Sequence, residues 1–194
     1  MKDPGLKETR SKILLAAVRI WREDYSAPLK TVAKEAGVSR MTLHRYFCGR
    51  DSILLALVEQ FVERISQNLV VAQQQYTHPV KQMECLVKNT HHLMEDYNFL
   101  FDIFEQKGCP ESLAELFANW EAEFSAFFES LQTQGLIKPT IAFGWANALF
   151  EGVMKAGFRM RQKHKDHHMD LAEEIWQVYR LAIFTPQALA EAAD

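Results

Sequence analysis

Cysteine is scarce in this 194-residue chain, and its three occurrences, Cys48, Cys85 and Cys109, are odd in number and never spaced as CxxC. That pattern argues against a disulfide framework and suits small buried hydrophobes in a reducing compartment. Long apolar runs are missing too. No stretch of about eighteen uncharged apolar residues occurs, and Met1-Lys2-Asp3-Pro4-Gly5 lacks the apolar segment of a secretory signal. A cytoplasmic protein without a membrane segment is expected. The chain also carries no EXXH metal-ligand pair, no phosphate-binding loop and no nucleophile elbow, so an enzyme or a resident cofactor has no basis in the sequence.

What is present is apolar content of 48%, enough for a substantial core. The net charge of −3 conceals two unlike parts. Residues 1–50 hold eleven Lys and Arg against five Asp and Glu, a charge of +6, whereas the remainder holds eleven against twenty, a charge of −9. The positive end is the natural partner of a polyanion.

Apolar residues recur at helical spacing almost throughout, with Gly, Pro and short polar clusters between the segments, which predicts an all-α fold. A first helix is expected from about Leu6 to Asp24, with Ile13, Leu14, Ala17, Val18 and Trp21 turned inward. Pro28 suits the first position of a short second helix ending at Gly37, and Ser39 suits the N-cap of a third, through about Phe47. Gly49 to Ser52 separates these from a long fourth helix, whose inward face is Ile53, Leu54, Leu57, Val58, Phe61, Ile65 and Leu69. Further helices are expected near 80–97, 98–107, 110–133, 140–164 and 169–184, followed by a frayed tail.

Residues 29–47 fit a helix-turn-helix position by position. Val32, Ala36, Val38, Leu43 and Tyr46 supply the contacts between the two short helices, Ala33 permits their close crossing, and Gly37 makes the tight turn. With Leu43 inward, the third helix presents Arg40, Met41, His44 and Arg45 as a reading surface. Arg45 and His44 are the preferred base readers. Thr31, Ser39, Thr42 and Tyr46 offer hydroxyls, and Arg50 a charge, suited to phosphate oxygens.

The run Val32-Ala-Lys-Glu-Ala-Gly-Val-Ser-Arg-Met-Thr-Leu-His-Arg-Tyr-Phe47 resembles the signature of TetR-family transcriptional regulators. The resemblance implies an N-terminal three-helix DNA-binding domain, residues 1–52, joined by a long helix to a helical-bundle regulatory and dimerisation domain, 53–185, with a tail at 186–194. It implies a homodimer on a double-stranded, near-palindromic operator, a repressor released by a small ligand. It also places Thr42, Tyr46 and Arg50 on the DNA backbone and Arg40, Met41, His44 and Arg45 toward the groove. Two departures bear on the operator. His44 stands where the family often has tyrosine, and Ala27-Pro28 replaces a frequent Thr-Thr, removing a hydroxyl.

Residues 98–158 are rich in aromatics, which either fill a bundle core or line a pocket for an apolar or aromatic effector. By resemblance the pocket candidates are Trp120, Phe124, Asn147 and Glu151. His164, His167 and His168 have i, i+3, i+4 spacing, but their charged, Lys-interleaved context favours solvated helix-end histidines over a metal site. Small residues from Ala142 to Gly157 and the amphipathic run Leu171 to Ile183 suit either an intramolecular core or pairing with symmetry mates. A protein-binding adaptor remains the rival class, and the basic face of Arg40, Arg45 and Arg50 argues against it.

Overall fold

The computed structural model describes residues 4–108, 110–163 and 170–192. The described residues form α1 (Pro4–Glu23), α2 (Leu29–Glu35), α3 (Arg40–Tyr46), α4 (Arg50–Gln75), α5 (Pro79–Lys107), α6 (Ala114–Thr133), α7 (Phe143–Lys163), α8 (Leu171–Ile183) and α9 (Pro186–Glu191). A single 3-10 turn, Glu111–Leu113, leads into α6. The all-α expectation holds. The chain divides into two compact units, residues 1–62 with 96–114 and residues 63–95 with 115–194.

The first unit is built on the predicted stripe of α1. Ile13, Leu14, Ala17, Val18 and Trp21 are all buried, and they share this fate with Val32, Ala33, Leu43, Phe47, Ile53, Leu57 and Phe61. Pro28 is not the first residue of α2 but its extended cap, at φ −74° and ψ 157°, and its carbonyl accepts the Thr31 amide at 2.8 Å. The fourth helix starts at Arg50, earlier than expected. Ser52 makes this possible, because its hydroxyl accepts from the Gly49 amide at 3.2 Å and donates to the Gly49 carbonyl at 2.8 Å, a local cap.

A break near 97 does not occur, and α5 runs unbroken to Lys107. Neither Gly nor Pro interrupts residues 80–107, and Tyr97, Phe99 and Leu100 are buried. Tyr97 packs on Phe61 at 5.4 Å between ring centroids and donates its hydroxyl to Gln60 at 3.0 Å, while Phe99 meets Trp21 edge-on at 6.4 Å. Helix termination waits for Gly108, at φ 78°.

The second unit packs α5 to α9 residues around Met83, Val87, Phe124, Phe128, Leu131, Phe150, Trp176 and Tyr179. Asp170 caps α8 by accepting the amides of Ala172 and Glu173. The last segment is not frayed. Thr185 caps α9, Ala188 on it is 1% exposed, and the preceding Phe184 forms an antiparallel bridge with Ile137. Two backbone hydrogen bonds of 2.9 Å, Lys138 to Ile183 and Thr185 to Leu136, make that bridge. Burying Ala188 and Phe184 gives the tail an anchor that its composition did not advertise.

Candidate nucleic-acid interface

The turn between α2 and α3 follows from its backbone. Gly37 adopts φ 66°, a left-handed conformation that costs other residues about 1–2 kcal/mol, and its amide bonds to the Lys34 carbonyl while Val38 bonds to Ala33. Ser39 then caps α3: its hydroxyl oxygen accepts the Thr42 amide at 3.0 Å and pairs with the Thr42 hydroxyl at 2.9 Å. Both hydroxyls proposed for phosphate thus have internal partners.

Leu43 and Phe47 fix α3 to the core, at 1% and 4% exposure. One turn of spacing away, Arg40, Met41, His44 and Arg45 are exposed, Met41 at 85%. Thr31, Thr42 and Tyr46 are half-buried at its margins. The Arg45 guanidinium lies 5.5 Å from the Tyr46 ring centroid, so tyrosine carries the arginine along the helix face.

Charge is distributed to the same end. Arg10, Lys12, Arg19 and Arg22 pair with Glu59, Glu8, Glu35 and Asp96. Lys30, Lys34, Arg40 and Arg45 have no acidic partner among the described residues. Apart from Lys7 on α1, the uncompensated positive charge of α1 to α3 therefore lies on α2 and α3. Lys30 and Lys34 were not singled out in the sequence, although the charge imbalance of the first fifty residues contained the signal.

Arg50 differs from the other arginines. Its guanidinium donates to the carbonyls of Tyr25 and Ala27 and lies over the rings of Trp21 and Tyr25. The geometry engages it internally instead of leaving it beside the exposed face of α3.

In the second unit a small, mostly apolar cleft of about 10 Å³ is lined by Trp120, Phe124 and Phe150 with Ile65, Leu86 and Glu123. Trp120 and Phe124 stack at 5.9 Å. Asn147 and Glu151 are not brought to this cleft. The Asn147 amide instead donates to the Glu151 carboxylate at 3.3 Å, and Glu151 is exposed on α7. The metal candidates His164, His167 and His168 lie outside the described residues. No group of three or more metal-ligating side chains occurs among the described ones, and no described helix is long and apolar enough to cross a membrane.

Residues 13–57, which span the whole helix-turn-helix, match the family model of bacterial regulatory proteins, tetR family. The chain is 29% identical over 171 residues to the HTH-type transcriptional repressor LfrR of Mycolicibacterium smegmatis, covering 86% of each. The chain carries the helix-turn-helix domain of the TetR family.

Solved TetR-like structures have the same fold. LfrR from Mycobacterium smegmatis in complex with proflavine matches with a TM-score of 0.73 at 24% identity, over 93% of this chain and 99% of that one. A TetR-family regulator from Marinobacter aquaeolei matches with a TM-score of 0.71 at 15% identity, over 92% and 96%. The HTH-type regulator NfxB of Pseudomonas aeruginosa is 27% identical over 128 residues, 64% of this chain and 67% of that one. With that domain the protein is a helix-turn-helix, DNA-binding transcriptional regulator.

Proposed function

We propose that the protein acts in the cytoplasm as a homodimeric repressor on a near-palindromic operator and releases DNA when a small apolar or aromatic molecule binds its second unit. The observation that carries this reading is the α3 face. Arg40, Met41, His44 and Arg45 are exposed together, two of them are arginines without acidic partners, and α2 adds Lys30 and Lys34. Arg45 and His44 read base edges, while Thr31 and Tyr46 hold the backbone.

One helix-turn-helix gains affinity by pairing with another across two half-sites. The surface that supports pairing lies on α7 and α8. Trp145, Val178 and Leu181 are exposed at 75%, 56% and 59%, and Gly144 and Gly152 face open space where side chains would otherwise hold a partner helix away. For the effector, the Trp120 and Phe124 stack offers a flat apolar wall, and the complex of the relative LfrR with proflavine is consistent with an aromatic occupant. Effector and operator binding are then coupled reciprocally, each weakening the other by the same factor.

The test is selection of bound fragments from genomic DNA by the purified protein over a range of salt concentrations, with an Arg45→Ala, Tyr46→Ala control. Enrichment of an inverted repeat that the control loses supports the reading. Sequence-blind, salt-sensitive retention, or none, overturns it and favours an adaptor role.

A further inference from the structure

Arg50 opens α4, yet its contacts reach back across the sequence to the turn between α1 and α2. Its terminal nitrogens donate to the carbonyl oxygens of Tyr25 and Ala27, with a longer approach of 3.4 Å to the Ser26 carbonyl. The guanidinium carbon lies 4.8 Å from the Tyr25 ring centroid and 4.9 Å from that of Trp21. The same turn is closed from its other side. The Trp21 indole donates to the Ala27 carbonyl at 3.3 Å, and the Asp24 carboxylate accepts both the amide and the hydroxyl of Ser26, at 2.9 and 2.6 Å.

These contacts suit arginine and no other cation. A planar fork with several N–H donors can serve two carbonyls at once and lie flat on aromatic faces, whereas a lysine ammonium is a point charge on a flexible stem. Ala27 is buried and immediately precedes Pro28, the cap of α2. Holding the Ala27 carbonyl therefore fixes where α2 starts, and α2 carries α3 through the Gly37 turn. Any rotation of the first turn of α4 is felt at the same carbonyls.

We propose that Arg50 is a positioning residue that clamps the α1–α2 turn to the first turn of α4, so setting how α2 and α3 are presented to DNA, in place of the phosphate contact its motif position suggests. The proposal rests on DNA binding by the first unit and is independent of the effector.

The experiment uses the full chain as wild type, R50K and R50A, with K34A, expected to flatten the salt slope, as the charge-removal control. Each is titrated with a DNA duplex that the wild type binds, by fluorescence anisotropy across salt concentrations, and melted in parallel so that binding is read where the protein is folded. Both R50K and R50A should lose about tenfold or more in affinity, as expected for removing hydrogen bonds to a charged group, with no change in the slope of log K against log salt. Lysine should fail to rescue.

A slope flattened by about 0.9 in R50A and restored in R50K would identify a phosphate contact and overturn the proposal. Lower melting temperatures with unaltered DNA affinity would overturn it as well, leaving Arg50 a purely stabilising residue. If R50A does not fold, R50K alone decides, because it retains the charge and removes only the fork.

Discussion

A Cβ on Gly157 of α7 would collide with the Cδ1 of Ile175 on α8 and stand 3.2 Å from its Cγ1, so glycine is what lets these helices pack as closely as they do. The His91 imidazole adjoins the same point, its Cε1 at 3.5 Å from that hypothetical Cβ. Gly157→Val should destabilise by overpacking, at about 1–3 kcal/mol. Ile175→Val removes the colliding methyl and by itself should cost about 0.5–1.5 kcal/mol. Combined with Gly157→Ala it should cost less than the sum of the two single changes, a coupling that urea unfolding at fixed protein concentration will measure. Strict additivity would refute the close contact.

His91 is buried, and its Nε2 has no hydrogen-bond partner among the described residues, the nearest carboxylate oxygen being Glu95 Oε1 at 3.8 Å. Burial holds its pKa below the ordinary value of 6.5; Glu95 and Asp170 oppose that shift, while His92 and Arg161 reinforce it. The unfolded chain therefore takes up this proton first as pH falls. The stability contributed by a neutral His91 is present above 6.5 and is lost as pH drops through that value toward the depressed folded one. Denaturant unfolding between pH 8 and pH 5 should show the decline, and His91→Phe should flatten it. A decline of equal steepness in the variant would assign the effect to other groups.

Ser39 supplies the cap on which α3 depends. Ser39→Ala should cost about 1 kcal/mol, and Ser39→Asp should restore most of it by accepting the Thr42 amide in the same way. Thermal melts of both variants test this. Equal loss in both would mean that the hydroxyl acts elsewhere.

On the proposed reading Arg45 meets base edges, whereas Lys34, exposed on α2, would meet phosphates, and the two differ in kind. Arg45→Ala should cost about 1–3 kcal/mol on the selected operator and relax its sequence preference. Lys34→Ala should weaken all sequences alike and flatten the salt slope by about 0.9. Competition between operator and scrambled DNA separates them, and a uniform loss in Arg45→Ala would remove it from the base readers.

The exposed apolar face of α8 provides a further test. Val178→Asp with Leu181→Asp places two charges on a surface that is 56% and 59% exposed in the single chain, so the protomer should keep its fold. The dimer should dissociate, since each charge would have to be desolvated at the interface. Light scattering reads the mass, and a persistent dimer would locate the interface elsewhere.

The motif was legible because its physics is local. Gly37 in a left-handed turn, Ser39 as a cap and Leu43 as the inward anchor follow from short-range backbone requirements and a 3.6-residue period, and together they place Arg40, Met41, His44 and Arg45 outside. The same reasoning failed where the deciding contact lies far away in sequence. The continuity of α5 near 97 depends on Phe61 and Trp21 receiving Tyr97 and Phe99. The order of the last segment depends on a bridge between Phe184 and Ile137.

By itself, then, the sequence determined an all-α protein with a basic N-terminal reading helix, because helical period, capping chemistry and net charge are properties of neighbouring residues. Tertiary structure alone decided which charges remain free to meet DNA. Arg10, Arg19 and Arg22 find carboxylates on other helices, Arg50 finds two carbonyls more than twenty residues upstream, and Lys30, Lys34, Arg40 and Arg45 find none. A cation's availability is set by what the fold brings within a few ångströms of it, and no local pattern encodes that distance.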